Sequence, residues 1–344
     1  MNENKINIRQ VDANVLQDFL AKKEQKKFRK NQIEEWLWEN PVSSFSQMTN
    51  LSLSIRKLLE DNFFIDSIKV DETQISHDGT IKNSFSLYDN NKIEGVIIPS
   101  PKRITACISS QVGCSLSCKF CATGKLNRQR NLSAGEIFDQ IVLLNNQALK
   151  KYNKPLSNIV YMGMGEPLLN YSQVKKSILK ITSEGLGLST SRITISTAGI
   201  AKMIKQLAND NLKVKLALSL HAANDEKRNK IMPINTQNSL SSLKEALLYY
   251  YEKTKQFITL EYIIFKNFND KIIDAKELNS FTKHFACKVN IIEYNSIGIK
   301  EFEMANEKNV ENFVDYLKQK NVVVNIRRSR GKDIDAACGQ LANK

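Results

Sequence analysis

The 344-residue sequence lacks any long hydrophobic run. No stretch approaches the roughly 20 apolar residues that a membrane-spanning helix needs, so we expect no membrane span. The first five residues, Met1 to Lys5, are polar, and no apolar segment follows them. This pattern argues against a secretory signal peptide, and we therefore expect a cytoplasmic protein.

Proline and glycine are scarce, at 6 and 13 residues, and they do not gather into a linker. The sequence shows no internal repeat and no low-complexity tract. Its length suffices for one large domain plus a small one.

Acidic residues are the minority charge, with 36 of them against 50 basic residues and a net charge of +14. A basic surface attracts polyanions, so the charge favours nucleic-acid binding. The alternative is that this charge serves solubility alone.

The first part of the chain, to about Asp66, is predicted to be helical because apolar residues such as Leu16, Leu20 and Leu37 recur at helical spacing. Basic residues are interleaved with them: Lys26, Lys27, Arg29, Lys30, Arg56 and Lys57. This pattern predicts either an RNA-docking module or a small structural cap with a solvated basic face. A β-hairpin is expected next, from the alternation at 84–88, the turn at 89–91 and the apolar run 95–98.

From about Arg103 the pattern changes to alternating strands and helices. The predicted strands are 104–109, 159–162, 193–196, 214–220, 257–265, 289–293 and 322–326. The predicted helices are 133–150, 171–184, 199–210, 239–253, 271–285 and 306–319. Ser133 and Glu136 have the spacing of a capping box at the start of the first of these helices. Regular alternation implies a parallel sheet, open or curled into a barrel, with its chemistry at the carboxyl ends of the strands.

Three of the six cysteines, Cys114, Cys118 and Cys121, form a C-x3-C-x2-C run directly after the first predicted strand of this part. Thiolates bind iron–sulfur clusters, and a cubane with only three of them keeps one iron open for a small molecule. The alternative is zinc, whose structural sites normally pair two such motifs. The sequence has no second C-x2-C pair, and its histidines are isolated: His77, His221 and His284.

This run, with Phe120 before its last cysteine and a βα pattern around it, resembles the radical S-adenosylmethionine (SAM) superfamily. The resemblance implies that Cys114, Cys118 and Cys121 hold a [4Fe–4S] cluster. SAM would then bind the open iron, and one electron would cleave it to methionine and a 5′-deoxyadenosyl radical. It also implies SAM contacts at the following strand ends: Gly165, Glu166, Ser196, Ser219, Leu220, His221 and Asn295. Taken singly, a serine or asparagine there also suits an ordinary turn.

A sixth cysteine, Cys338, lies in the stretch 333–341, Asp-Ile-Asp-Ala-Ala-Cys-Gly-Gln-Leu. On its own it reads as a small buried apolar residue. Nearby basic residues would instead lower the pKa of its thiol and make it a nucleophile; they are Arg327, Arg328, Arg330 and Lys332. The stretch around Cys338, Cys107 and the stretch 162–168 together resemble the RlmN family of RNA adenine methyltransferases. The resemblance extends over nearly the whole chain.

The family resemblance implies a role for each of three residues. Cys338 takes a methyl group from one SAM, and a second SAM yields the radical that removes a hydrogen from that group. The methylene radical adds to adenine C2, Glu94 accepts the ring proton, and Cys107 forms a transient disulfide with Cys338 to release the product. Without the resemblance, Glu94 reads as an exposed hairpin carboxylate. The remaining cysteine, Cys287, reads as a strand core residue.

The implied substrates are an adenosine in the peptidyl-transferase region of 23S rRNA and the adenosine 3′ of the anticodon in some tRNAs. The implied electron donor is a protein such as flavodoxin or ferredoxin, and a monomer is expected. A C8-methylating relative shares the cysteines, but it carries alanine where Pro167 stands and a different segment before Asp333. The loop 296–300 lacks the prolines of many members, which affects its shape. A non-catalytic, metal-stabilised RNA-binding protein is the alternative from another class.

We therefore expect an α/β protein built on an incomplete (βα)6 barrel with three parts. These are an N-terminal helical RNA-binding domain over 1–66, a hairpin and linker carrying Glu94 over 67–99, and the radical SAM core with the Cys338 loop over 100–344.

Overall fold

The computed structural model describes residues 5–39 and 41–343. Residues 1–4, on which the expected lack of a signal peptide largely rests, lie outside this range. Within it, no helix is both long and apolar enough to cross a membrane.

Three helices form the N-terminal part, as the apolar spacing predicts. Its elements are β1 Ile6–Asn7, α1 Ala13–Lys22, α2 Arg29–Trp38, α3 Leu53–Asn62 and β2 Phe63–Phe64. Asp12 and Ser52 cap α1 and α3 by accepting backbone N–H groups of the first turn. Buried side chains such as Leu20, Ile33 and Leu59 join the three helices in one apolar core.

An antiparallel three-stranded meander follows, composed of β3 Lys69–Ile75, β4 Ile81–Ser86 and β5 Lys92–Pro99. The predicted hairpin corresponds to β4 and β5. The additional strand, β3, lies at the edge of the sheet, and most of its residues are exposed. A strand with no buried face lacks the alternation that sequence analysis uses, which explains why it was not predicted.

The rest of the chain alternates strands with helices. Its strands are β6 Ile104–Cys107, β7 Gln111–Val112, β8 Arg130–Asn131, β9 Asn158–Tyr161, β10 Ile193–Thr197, β11 Lys215–Ser219, β12 Ile258–Ile264, β13 Cys287–Glu293 and β14 Val324–Arg327. Its helices are α4 Ala134–Tyr152, α5 Tyr171–Lys180, α6 Ala201–Asp210, α7 Asp225–Ile231, α8 Leu240–Thr254, α9 Ile272–Thr282 and α10 Glu307–Gln319. The short helix α7 was not predicted.

One ten-stranded sheet connects the meander with this alternating part, in the order β14-β13-β12-β11-β10-β9-β6-β5-β4-β3. Neighbouring strands are parallel from β6 to β14 and antiparallel from β6 to β3. Six helical crossovers connect the seven parallel strands, so the predicted incomplete (βα)6 barrel is confirmed, with β14 as its final strand.

Helix α4 connects the barrel to the N-terminal helices. It begins with the predicted capping box, in which the Ser133 hydroxyl accepts the Glu136 N–H and the Glu136 carboxylate accepts the Ser133 N–H. Trp38 packs edge-on against Phe138, and buried Arg9 donates to Asp139 at 2.8 Å. The N-terminal part is therefore packed directly on the barrel.

Candidate active site

A cavity opens at the carboxyl ends of β9 to β12, where a barrel of this kind collects its chemistry. It encloses about 920 Å³ of space, with its open mouth included. Nine residues singled out from the sequence line it: Cys114, Cys118, Cys121, Gly165, Glu166, Ser196, Ser219, His221 and Cys338. The fold therefore brings together residues that are up to 224 positions apart, since Cys114 and Cys338 share one cavity.

The loop that follows β7 carries the three clustered cysteines and is fixed by backbone hydrogen bonds. Cys121 N–H donates to the Cys118 carbonyl, and Lys119 N–H donates to Ile231 at the end of α7. Gly124 is needed here because a Cβ would lie 2.8 Å from the Cys118 carbonyl oxygen. Burial raises the pKa of all three thiols, that of Cys114 to about 11.

Glu166 is buried just after β9, and both of its oxygens accept backbone N–H groups. Oε1 accepts from Leu168 at 3.0 Å and Oε2 from Ala198 at 2.7 Å. Burial raises the pKa of Glu166 to about 7 despite these bonds. Gly165 has a φ of 94°, and a Cβ there would lie 2.4 Å from Gln111 Cβ. The glycine thus lets the loop after β9 pack on the short strand β7.

His221 follows β11 and faces the cavity in a left-handed conformation, with a φ of 55°. Its Nδ1 accepts the Ile263 N–H, and its ring packs edge-on against Phe120. Burial and the nearby Arg228 lower the pKa of His221 to about 3, so the ring is neutral.

Two residues expected to contact SAM have other surroundings. The Leu220 side chain is fully buried in the main apolar core and does not line the cavity. Asn295 is also absent from the lining; its Nδ2 donates to the Cys338 carbonyl oxygen at 3.3 Å. It therefore contacts the Cys338 loop directly.

Arg228, on α7, was not identified from the sequence. It is fully buried and donates to the carbonyl oxygens of Ala198, Ser219 and Leu220 and to the Asn235 side chain. It thereby fixes the strand-end loops of β10 and β11. In the sequence it stands in the charged run 225–228, which looks like a solvated helix face, so no local signal marks it.

A second cavity adjoins the first and is lined by Cys107, Cys338 and Arg327. Both thiols are free. Cys107 is buried, whereas Cys338 is exposed and lines both cavities. Burial raises the pKa of Cys107 to about 12 and also raises that of Cys338, and the charge of Arg327 opposes both shifts. The expected pKa-lowering effect of basic neighbours therefore exists but is outweighed by burial.

The other basic residues near Cys338 pair with carboxylates. Arg328 and Lys332 lie 3.6 and 2.7 Å from Glu293, and Arg330 lies 4.0 Å from Asp78. Arg327 itself is 3.4 Å from Glu261, which in turn accepts a hydrogen bond from Asn290.

Glu94 lies on β5 and is buried, contrary to its interpretation as an exposed hairpin carboxylate. Oε2 accepts the backbone N–H groups of Ala342 and Asn343, and Oε1 lies 3.5 Å from the Lys82 ammonium. Leu341 lines the second cavity, and the two residues that follow it cover the carboxylate. Glu94 is therefore next to the second cavity but is separated from it by the chain after Cys338.

The first cavity fits the cofactors that the sequence implies. It presents three thiols on one loop, a buried carboxylate and three further strand-end side chains around a space suited to a small molecule. In the described part of the chain, no three His, Cys, Asp or Glu side chains converge on a point where a single metal ion would bind. The irons of a cubane occupy separate corners, so its thiolate ligands need not converge in this way.

Comparison with known families gives two matches. Residues 108–278 match the radical SAM superfamily. Residues 6–65 match the ribosomal RNA large subunit methyltransferase N-terminal domain.

Similar proteins span nearly the whole chain. A probable dual-specificity RNA methyltransferase RlmN from Cytophaga hutchinsonii is 56% identical over 338 residues, which cover 98% of this chain and 93% of that protein. A protein of the same description from Flavobacterium johnsoniae is 52% identical, with 99% and 98% covered. A crystal structure of a radical SAM methyltransferase from Sphaerobacter thermophilus superposes with a TM-score of 0.91 at 33% identity and covers 98% of this chain and all of the other.

Proposed function

The chain belongs to the RlmN family of radical SAM methyltransferases, and from this we propose that it methylates C2 of adenosine in 23S rRNA and in some tRNAs. The observation that carries the proposal is the position of Cys338. Its side chain lines the cavity of the clustered cysteines and also the cavity of Cys107. One sulfur accessible from both sides suits a group that receives a methyl from SAM and delivers its carbon to RNA.

We assign the [4Fe–4S] cluster to Cys114, Cys118 and Cys121, and the SAM amino acid end to Gly165 and Glu166. We also assign Ser196, Ser219 and His221, which line the same cavity, to SAM, whereas Leu220 belongs to the apolar core and Asn295 acts through the Cys338 loop. When bound, the cluster supplies the electron that cleaves SAM to methionine and a 5′-deoxyadenosyl radical. The buried carboxylate of Glu166 suits the SAM ammonium group, because an opposite charge stabilises its ionised form.

The chain's own residues carry the one-carbon unit and the protons. Cys338 accepts the methyl group at Sγ and, after hydrogen loss, forms the bond from its S-methylene carbon to adenine. Once the adduct radical has given one electron to a one-electron acceptor, Glu94 takes the C2 proton. The Cys107 thiolate then attacks Cys338 Sγ, so that the S–S bond forms and the bond between that sulfur and the methylene carbon breaks. The released electron pair takes up a proton to complete the methyl group, and two electrons from the donor protein reduce the disulfide. For Glu94 to reach the ring, the amides of Ala342 and Asn343 must leave its Oε2.

The substrate adenosine must leave its base stack to enter such a cavity, and the basic surface supplies affinity for the RNA backbone. In the N-terminal part, Lys26 and Lys27 are exposed and suited to phosphate contacts. Arg56 instead donates to the carbonyl oxygens of Ser46, Thr49 and Leu51, so its role is structural. We propose that residues 1–66 are the RNA-docking domain, 67–99 carry Glu94 and 100–344 form the catalytic core.

We further propose a monomer that works in the cytoplasm, where its RNA substrates are. Flavodoxin or ferredoxin would serve as electron donor, and an acidic protein of this kind complements the net charge of +14.

The test is anaerobic turnover of the reconstituted enzyme with SAM on 23S rRNA fragments, with the product located by mass spectrometry. We expect 2-methyladenosine, with Cys338→Ala unable to form methylated protein and Cys107→Ala accumulating a protein–RNA adduct. Cys287→Ala is the matched control, since Cys287 lines neither cavity, and it should turn over normally.

Three outcomes would contradict the proposal. Methylation at C8 would point to the related activity, and a colourless zinc protein would point to a non-catalytic RNA-binding protein. Normal turnover by Cys338→Ala would remove the methyl-carrier role.

A further inference from the structure

Within the described ranges 5–39 and 41–343, the carboxylate of Glu94 has one cationic neighbour within 4.0 Å, Lys82 of β4. The Lys82 ammonium lies 3.5 Å from Glu94 Oε1, and the two side chains are 6% and 1% exposed. Among the described residues, Glu94 is the only acid within 4.0 Å of this ammonium. Charged side chains are rarely buried this deeply without a partner, so the two residues depend on each other.

The strand register places this pair on the same face of the sheet as the resolving thiol. Lys82 is directly opposite Val96 of β5, which is directly opposite Cys107 of β6. Glu94 lies two positions from Val96 on β5 and so shares its face. Directly opposed residues of a sheet point to the same side, and a long side chain reaches a diagonal neighbour. Lys82, Glu94 and Cys107 therefore face the same side of the sheet.

Two kinds of contact hold Glu94: one comes from the segment after the Cys338 loop and the other from the sheet itself. Oε2 is held by backbone amides of the segment that follows the Cys338 loop. Oε1 has no hydrogen-bond donor in the structure, and its ionic contact comes from a residue within the sheet. Because β4 is paired along its length with β3 and β5, Lys82 stays in place when the terminal segment moves.

We propose that Lys82 is a positioning residue for proton removal from adenine, an inference that rests on the proposed function. When RNA displaces Ala342 and Asn343, the carboxylate loses two hydrogen bonds while it remains in a buried site. Lys82 then holds Oε1 in place and leaves Oε2 directed at the ring. The adduct radical first gives one electron to a one-electron acceptor, such as the oxidised donor protein. The C2 proton then passes to Oε2, and the C–H electron pair restores the aromatic ring.

The test compares Lys82→Met, Lys82→Arg and Glu94→Gln in anaerobic single turnovers of the holoenzyme. The substrate is an rRNA fragment with hydrogen or deuterium at C2 of the target adenosine. Mass spectrometry measures methylation of Cys338, and denaturing gels follow formation and decay of the protein–RNA adduct. Lys175→Met is the matched control, because Lys175 pairs with Asp210 on the outside of the barrel.

General bases contribute about 10²- to 10⁴-fold, so Lys82→Met should slow adduct decay by at least about tenfold and by less than Glu94→Gln does. Methylation of Cys338 should match the wild type, and the deuterium effect on decay should grow because proton removal becomes slower. Lys82→Arg, which keeps the charge, should restore most of the rate. A purely structural role would reduce methylation and decay together and leave the isotope effect unchanged.

If Lys82→Met does not fold, Lys82→Gln replaces it with the same expectation. A wild-type decay rate in Lys82→Met, or equally slow decay in Lys82→Arg and Lys82→Met, would overturn the inference. A wild-type enzyme that forms no adduct, or Glu94→Gln with unchanged decay, would instead overturn the proposed function. The two failures are therefore distinguishable.

Discussion

Replacement of Arg228 by methionine should destabilise the protein and weaken SAM binding, although Arg228 was not identified from the sequence. The guanidinium donates to four acceptors: Leu220 O at 3.0 Å, Asn235 Oδ1 at 2.7 Å, Ala198 O at 2.6 Å and Ser219 O at 3.1 Å. Methionine fills much of the same volume but donates to none of them.

The expected loss follows from these contacts. A buried acceptor left without its donor costs about 1 to 3 kcal/mol, and the lower value for four acceptors gives about 4 kcal/mol. Burial of the charge offsets part of this, since it lowers the pKa of Arg228 to about 10. We therefore expect a decrease of about 3 to 5 kcal/mol in the free energy of unfolding, as for other broken buried charge networks. Ala198 and Ser219 also line the first cavity, so the affinity for SAM should decrease together with the stability.

Urea unfolding of the apoprotein, followed by circular dichroism, measures the first effect, and equilibrium dialysis of reconstituted enzyme against SAM measures the second. Lys230→Met is the control, because Lys230 is on the same helix in an exposed pair with Glu226 and should change stability by less than about 0.5 kcal/mol. The loss of unfolding free energy in Arg228→Lys should lie between the losses in Arg228→Met and Lys230→Met. A loss below about 1 kcal/mol with unchanged SAM affinity would refute the assignment of Arg228 as the residue that fixes these loops.

Two further predictions concern acid stability and RNA affinity. The lowered pKa of His221, from 6.5 to about 3, means that below pH 6.5 the unfolded chain binds a proton that the folded chain excludes. The unfolding free energy should therefore fall by a few kcal/mol as the pH drops from about 6.5 toward 3. His221→Asn, which tolerates the left-handed φ, should lose less stability over that range, and identical acid profiles would contradict this. The double variant Lys26→Glu, Lys27→Glu should weaken RNA binding and reduce the dependence of its affinity on salt concentration. Arg56→Met, in contrast, should mainly lower the stability of the protein. An unchanged salt dependence of RNA affinity in the double variant would argue against phosphate contacts at Lys26 and Lys27.

The sequence predicts the barrel well because each buried strand and each amphipathic helix carries its own period. All seven parallel strands and the six long crossover helices lie where those periods place them. The clustered cysteines were identified from their spacing, and the family resemblance pointed to Glu166 after the next strand, where chemistry in such folds gathers.

What the sequence misses depends on contacts between distant segments. Arg228 and Lys82 look like ordinary surface charges until the fold buries them beside Ala198 and Glu94. The edge strand β3 lacks a buried face. Leu220 stands in a loop after β11, and its sequence position does not tell whether its side chain enters the core or the cavity. No periodicity along the chain encodes these arrangements, because each is fixed by the partner that the fold supplies.

The chain around Cys338 connects the loop of the clustered cysteines to Glu94. Ala122, next to Cys121, donates to the Gly339 carbonyl at 2.7 Å, and Thr123 Oγ1 donates to Leu341 O at 2.6 Å. The following amides then reach Glu94. The five residues after Cys338 thus link the loop of the clustered cysteines to the carboxylate of β5. These hydrogen bonds hold the segment after Cys338, whose thiol lines both cavities, against the loop of the clustered cysteines. Asn295 adds a hydrogen bond to the Cys338 carbonyl oxygen. The position of the sulfur is therefore set by hydrogen bonds that the Ala122 N–H, the Thr123 hydroxyl and the Asn295 side chain donate to carbonyl oxygens of its loop. Arg327 is the charged side chain that lines both cavities beside it.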